Sequence, residues 1–476
     1  MHEARLRRAA LAAGAALVLS LSGCMVGPDY QRPSMDVPVA YTEPAENAEP
    51  AIRPDWWTLY SDPVLNELVA AALARNADVR LAVARIEEAD ANLREAGAAL
   101  LPEIDLTANP SRTRSSTTTA LPIPPGVPFI RNDYRVALST AFELDFWGKL
   151  RRTVESLRAQ ALASRYARDT VALTLAGVTA QTYFGLRSLD AQIIVTRETL
   201  ANRDESLAYV RKRAAGGIAS ELEVAQAEGA RAQIAVQLRD LQRQRALLEH
   251  QLALLAGRLD QTLQAGDLRT LPVPALPPAG LPSALLERRP DVRQAEAALV
   301  AANAQIGVVK AAMFPTISLT GAFGAQSGEL SRLHETGSKI WSLGFGLSLP
   351  IFDAGRYRAR TDEAVAREHQ SLAGYQRSVE TAFREVSDAL ATVRETAAAE
   401  GDYQLQLDAA RRALRLARLR YEAGYSAFLE VLDAQRTAND AELAYLRNRQ
   451  ALLAATVDLM RSLGGGWTPQ QLGAAR

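Results

Sequence analysis

Residues able to do covalent chemistry are few and scattered in this chain. Its four histidines are His2, His250, His334 and His369. None stands roughly three to five residues from another, as paired zinc ligands do. There is no His-Glu-x-x-His, no Gly-x-Ser-x-Gly and no glycine-rich phosphate loop, so hydrolase and nucleotide chemistry lack their machinery. We expect no enzyme and no metal site. One nucleophile is left. Cys24 is the only cysteine, and a lone cysteine cannot close an internal disulfide. It ends an apolar run that starts at Ala9 and is preceded by Arg5, Arg7 and Arg8. Such a run is too short to cross a bilayer and has the character of an export signal.

Leu21-Ser22-Gly23-Cys24 resembles the bacterial lipoprotein box. The resemblance implies removal of residues 1–23 as a signal peptide and lipid attached to the Cys24 thiol, with no other cofactor. The plainer alternative is an unmodified thiol beside a cleavage site. Met25, rather than aspartate, follows the cysteine, which by the same resemblance favours sorting to the outer membrane. The 54 basic residues balance 54 acidic ones, so nothing in the charge suggests a nucleic-acid partner.

The remaining polar groups of interest sit on alternating strands. In Lys339 to Phe352, Trp341, Leu343, Phe345, Leu347, Leu349 and Ile351 alternate with Ser342, Gly344, Gly346, Ser348 and Pro350. Successive strand side chains point to opposite faces, so one face is wholly apolar and the other small and polar. A half-buried strand in water would carry charges on its wet face; this pattern suits lipid on one side and a lumen on the other. Three more stretches alternate likewise: 103–109, 134–144 and 316–323. The expected lumen face comprises Glu103, Asp105, Thr107, Arg135, Ser139, Glu143, Thr316, Ser318, Thr320, Ser342, Gly344, Gly346 and Ser348. Phe146, Trp147, Phe314 and Phe352 at the strand–helix joins, and Phe129, Tyr134 and Trp341 near the loops, would form two aromatic belts.

Helices must hold these strands in place. One helix is expected from Ser61-Asp62-Pro63 to Leu101, and another from Gly148 to Ala215, roughly 100 Å at 1.5 Å per residue. Leu186, Leu189, Ile193, Thr196, Leu200, Arg203, Leu207 and Val210 keep a three-four spacing, a coiled-coil seam interrupted by its arginine. Gly216-Gly217 breaks the helix, and Ser220 with Glu223 reads as a capping box for the next. The return helix repeats the seam at Ile234, Leu238, Leu241, Arg245, Leu248, Leu252 and Leu255. The chain then begins again. Asp78-Val79-Arg80 recurs as Asp291-Val292-Arg293, and Leu222-Glu223-Val224 as Leu429-Glu430-Val431, a tandem duplication.

The fold class expected is mainly α with a membrane β-barrel portion. The segments are a signal peptide (1–23), a lipidated extended segment (24–60) and a first repeat (61–265, with hairpins 103–145 and 148–257). A Pro-rich linker (266–282), a second repeat (283–466, with hairpins 316–352 and 355–463) and a tail (467–476) follow. Four strands cannot close a barrel, since the smallest have about eight, and open edges are not tolerated in lipid. Three chains would supply twelve, enough for a passage. A homotrimer with a helical tunnel is the expectation.

Gly27-Pro28-Asp29-Tyr30-Gln31-Arg32-Pro33, Trp56-Trp57, both tip segments and Pro350-Ile351-Phe352-Asp353-Ala354-Gly355-Arg356 resemble the TolC-like outer-membrane factor family, in its NodT-like lipoprotein subgroup. That resemblance implies an efflux outlet in outer-membrane lipid. Its tips would dock a periplasmic adaptor protein joined to an inner-membrane pump of the resistance-nodulation-division type. The docking contact would fall on Ala215, Gly216, Gly217, Ile218, Ala219 and Ser220, and on Ala423, Gly424, Tyr425, Ser426 and Ala427. Two alternatives stay open: a type I protein-secretion outlet of the same fold, and a lipid-anchored periplasmic coiled-coil scaffold without a pore.

Overall fold

The period-two stretches form one antiparallel sheet in the order β1-β2-β3-β4. Its strands are β1 (Asp105–Arg114), β2 (Ile130–Leu144), β3 (Thr316–Ser327) and β4 (Lys339–Ser348). The computed structural model describes residues 25–35, 52–116, 118, 124, 126–275 and 285–467. The expected signal peptide, Cys24, residues 36–51, part of the first strand loop, residues 276–284 and the tail beyond Trp467 lie outside them. β4 stops at Ser348, two residues before Pro350, which has no N–H to donate to a ladder.

The helices are α1 (Pro63–Arg75), α2 (Ala77–Ala98), α3 (Lys149–Ala215), α4 (Glu221–Leu255), α5 (Pro290–Ala311), α6 (Arg356–Glu422) and α7 (Phe428–Ser462). The duplication shows in their lengths: α3 and α6 each have 67 residues, α4 and α7 each 35. The seam is real. Leu186, Leu189, Ile193, Leu207, Val210, Ile234, Leu241 and Leu252 are all buried.

Three expectations need correction. The first helix is two, because Asn76 is extended at φ −61°, ψ 140°. Its Oδ1 accepts the Asp78 N–H at 2.7 Å and its Nδ2 donates to the Leu255 carbonyl at 3.1 Å, so the side chain caps α2 and ties it to α4. The same break recurs in the second repeat at Arg289, between a helical turn Leu285–Arg288 and α5. The second correction is that residues 24–60 are not extended throughout. Trp56–Tyr60 is a 3₁₀ turn, and Trp56 and Tyr60 are wholly buried; the Tyr60 hydroxyl lies 2.7 Å from that of Thr456. Third, the capping box at α4 is half made. Ser220 accepts the Glu223 N–H at 3.3 Å, but the Glu223 carboxylate is turned to Tyr421.

The chain folds as two compact units, each drawing on both repeats. One holds the N-terminal residues to Ser34, Ile86–Ala163 and Ala295–Tyr375, and therefore the sheet. The other holds Met35–Arg85, Ser164–Gln294 and Gln376–Arg476, with a core around Trp56, Tyr60, Leu68, Tyr183, Phe184 and Leu252. Among the described residues no helix is long and apolar enough to cross a membrane, and no group of His, Cys, Asp and Glu could hold a metal ion.

Candidate channel lining and helical tips

Register decides which strand residues share a face. Asp105 pairs with Ser139, Ser139 with Ala322, and Ala322 with Ser342. Thr320 lies between Ala141 and Gly344, Ser318 between Glu143 and Gly346, and Thr316 beside Ser348. Thr107 faces Ala137, and Arg135 lies between Asn109 and Gln326. All the expected lumen residues except Glu103 therefore lie on one continuous face; Glu103 precedes β1. The face is small as well as polar. A Cβ on Gly344 would stand 2.7 Å from Thr320 Oγ1, and one on Gly346 2.7 Å from Ser318 Oγ, so hydroxyls lean over the glycines.

The charges on this face differ in availability. Glu143 is held by Lys149 Nζ at 3.0 Å, at the start of α3, so it serves the strand–helix join more than a passing solute. Asp105 and Arg135 have no ion-pair partner among the described residues and are free to set a local field.

The opposite face is apolar and bare. Leu106, Leu138, Phe323 and Trp341 form one transverse row, Phe142, Leu319 and Phe345 a second, Leu144, Ile317 and Leu347 a third. Trp341 is 75 % exposed and Leu343 72 %. A soluble chain rarely leaves so large an apolar patch in water, whereas lipid covers it at no penalty.

The aromatic belts are made only in part. Trp341 and Phe352 are exposed, but Trp147 stacks on Phe314 at 4.8 Å and donates from Nε1 to the Pro315 carbonyl at 2.8 Å. That pair fastens the two strand–helix joins to each other.

Cys24 lies outside the described residues, but the segment after it is firmly placed. Val26 donates to the Trp147 carbonyl at 3.1 Å, Asn303 donates to that of Pro28 at 3.1 Å, and Arg32 grips Glu296 through two nitrogens at 2.6 and 2.8 Å. Asp29 meets the buried Arg152 at 2.6 Å. Residues 26–32 are thus fastened beside the first strand–helix join and along α5.

Both tips use one device. Gly217 has φ +73° and Gly424 φ +80°. Ile218 N–H returns to Arg213 O and Gly217 N–H to Ala214 O, each at 2.9 Å; Tyr425 and Gly424 repeat this with Arg420 and Tyr421 at 2.8 and 3.0 Å. These are Schellman caps, closed by a residue in the left-handed region. A Cβ at either glycine would meet nothing within 4 Å, so backbone conformation alone demands glycine. Gly424→Val is therefore expected to lower the local opening free energy at residues 423–427 by about 1–2 kcal/mol, whereas Gly424→Asn is tolerated. Amide hydrogen exchange reads this directly, and equal exchange in the two variants would refute the capping account.

The residues following the glycines, Ile218 and Tyr425, are left exposed, as are Leu222 and Leu429. Beneath them is a cluster that sequence reading missed. Tyr421 donates to Glu223 Oε2 at 3.1 Å, Arg213 lies over its ring at 5.1 Å, and Phe428 packs at 5.3 Å. Burial and the Glu223 carboxylate push the Tyr421 phenol up to about 12, so it stays a donor. The available signal was an aromatic one turn before the second tip glycine.

Residues 68–258 and 281–465 match the family model described as outer membrane efflux protein. The chain is 36 % identical over 472 residues to the solvent efflux pump outer membrane protein SrpC of Pseudomonas putida, covering 95 % of this chain and 98 % of that protein. It is 33 % identical over 468 residues to the cation efflux system protein CusC of Escherichia coli, covering 94 % and 98 %. The solved Campylobacter jejuni CmeC outer membrane channel superposes with a TM-score of 0.87 at 26 % identity, over 94 % of this chain and 96 % of that one. Both repeats are matched, and the likeness runs nearly end to end. With its two-faced sheet and paired helical hairpins, the chain belongs to the outer membrane efflux protein family and is an outer-membrane channel of an efflux system.

Proposed function

We propose that three copies pool their sheets into a twelve-stranded barrel whose polar face lines the passage, and that solutes cross it passively. The observation carrying this reading is the single continuous polar face, backed by bare apolar rows and bounded by β1 and β4, whose outer edges pair with no strand among the described residues. An open edge leaves backbone groups unpaired in lipid at several kcal/mol each, so β4 of one copy must meet β1 of the next. Energy enters elsewhere. A periplasmic adaptor docks on the tips, at 215–220 and 423–427, and an inner-membrane pump of the resistance-nodulation-division type drives transport. The exposed Ile218 and Tyr425 support docking, since apolar side chains at a helix tip gain from being covered. Adaptor binding opens the tips only as far as it favours the open state. The lipid on Cys24 anchors the segment held against the strand–helix join.

Cargo choice belongs to the pump. One relative is named for solvents and another for cations, and both match this chain over nearly its whole length. A lining of hydroxyls, glycines and a few charges presents no pocket for one compound.

The test is the native mass of the detergent-extracted protein. Three chains per particle are expected, each heavier than residues 24–476 by its acyl chains, with that excess absent in Cys24→Ser. A stable monomer, soluble without lipid, would overturn the barrel. No excess mass would overturn lipidation alone.

A further inference from the structure

Four arginines of the described residues are buried, and three have carboxylate partners. Arg152 meets Asp29 at 2.6 Å and Glu155 at 2.8 Å. Arg187 meets Asp190 at 3.1 Å. Arg289 meets Asp291 at 2.6 Å and Glu385 at 2.8 Å. Arg203, only 4 % exposed, has no such partner. One terminal nitrogen donates to Gln435 Oε1, a neutral acceptor, and its Nε is buried without a partner. It is the arginine that interrupts the α3 seam. The corresponding interruption in α4, Arg245, is compensated by Asp190 at 2.7 Å and Glu249 at 2.8 Å.

Around Arg203 the walls are mostly polar, buried at Gln435 and Asn439 and open to water at Glu198, Asn202 and Arg411. A cavity of about 160 Å³ opens between α3, α6 and α7, bordered by Arg203, Arg418, Thr199, Asn202, Gln435 and Asn439. Gln435 and Asn439 are both buried. Asn439 Oδ1 accepts from Thr199 at 3.2 Å, which leaves its Nδ2 as a donor. Arg418 is half-buried and has no ion-pair partner among the described residues. Two carboxylates border the same space. Glu442 is taken up by Arg411 at 2.7 Å, and Glu198 makes no ion pair with Arg203. Burial and the neighbouring Arg418 charge both lower the Arg203 guanidinium below its ordinary range; no carboxylate offsets them.

A guanidinium taken out of water without a counter-charge carries a penalty of several kcal/mol, and a second cation alongside raises it. Two guanidiniums bordering one cleft, with the Asn439 amide among its walls, supply the charge and donors an oxyanion takes. The volume suffices for a carboxylate or phosphate group with a water or two. We infer that the Arg203–Arg418 cleft is a binding site for an oxyanion, a carboxylate or phosphate group. The group comes either from a free solute or from an acidic side chain of a second copy of this chain. The site is separate from the strand lining and from the tip residues assigned to docking.

The probes are sodium phosphate and sodium acetate, titrated at constant ionic strength into the full-length detergent-extracted channel, with thermal unfolding as the readout. A free solute predicts a saturable rise in Tm of roughly 2–4 °C that is lost in Arg203→Met and in Arg418→Gln. A carboxylate from a second copy predicts no response to either salt, together with dissociation of the assembled particle in Arg203→Met. Arg418 is nearer the rim, so Arg418→Gln keeps the test usable if Arg203→Met fails to fold. The inference is overturned by an equal rise in the wild type and both variants, which is a general salt effect. It is equally overturned by a flat response with mass and Tm unchanged in both variants.

Discussion

Gly344→Trp is expected to cut efflux to the level of cells lacking the channel while leaving the native mass unchanged. Position 344 lies mid-strand on the polar face, across from Thr320. Its backbone is not in the left-handed region, so a side chain adds no strain there. The nearest atom to a new Cβ is Thr320 Oγ1 at 2.7 Å, the rotatable end of a side chain, so the sheet can accept the substitution. Three copies would then project three indoles inward at one level, each a rigid bulk of about 150–250 Å² where hydrogen and a hydroxyl stood. Leu343→Trp is the matched control. Leu343 is on the opposite face and 72 % exposed, so an indole there meets lipid and flux is expected to stay near wild type. Dye efflux, read with the native mass, separates the cases. Normal flux in Gly344→Trp with blockage in Leu343→Trp would mean the faces are inverted.

The two faces were legible because period two survives only where neither face is interchangeable. Slipping the register by one residue would put Leu343, Phe345 and Leu347 into the lumen and expose glycine and serine to lipid. The tips were legible because a left-handed closing residue is close to a glycine requirement. Other features depend on partners far away in sequence. Asn76 looks like an ordinary helix residue until its amide is seen holding the Leu255 carbonyl. Trp147 has the composition of an interfacial anchor, and only the fold brings Phe314 against it. Glu223 fits a capping box by spacing, but Tyr421, 198 residues on, takes its carboxylate. Arg203 and Arg245 interrupt their seams alike in sequence; that one is neutralised and the other not follows from where Asp190 and Glu249 fall.

Asp190→Ala is expected to destabilise its folded unit by about 3–5 kcal/mol, the range for stripping one partner from a buried ion pair. The Asp190 carboxylate is 1 % exposed and sits between two guanidiniums. Oδ1 accepts from Arg245 Nε at 2.7 Å; Oδ2 accepts from Arg187 at 3.1 Å and from the Gly266 N–H at 3.0 Å. Its removal leaves the two arginines unequally placed. Arg245 keeps Glu249, but Arg187 keeps only neutral acceptors, the Tyr183 hydroxyl at 2.8 Å and the Gln264 carbonyl at 2.7 Å. The loss also releases the Gly266 N–H that holds the segment after α4, so local packing loosens with the charge. Asp190→Asn preserves the volume and one acceptor but not the charge, and is expected to recover only a minor part. The Arg231–Asp204 pair, 43 % and 51 % exposed, gives the contrast: Asp204→Ala should change stability by about 0–1 kcal/mol because water already screens it. Denaturant unfolding of the three variants decides the matter. Equal, small effects at Asp190 and Asp204 would show that the interior of this helical unit is wet enough to hydrate Arg187, and would weaken the case for a counter-ion at Arg203 on the same ground.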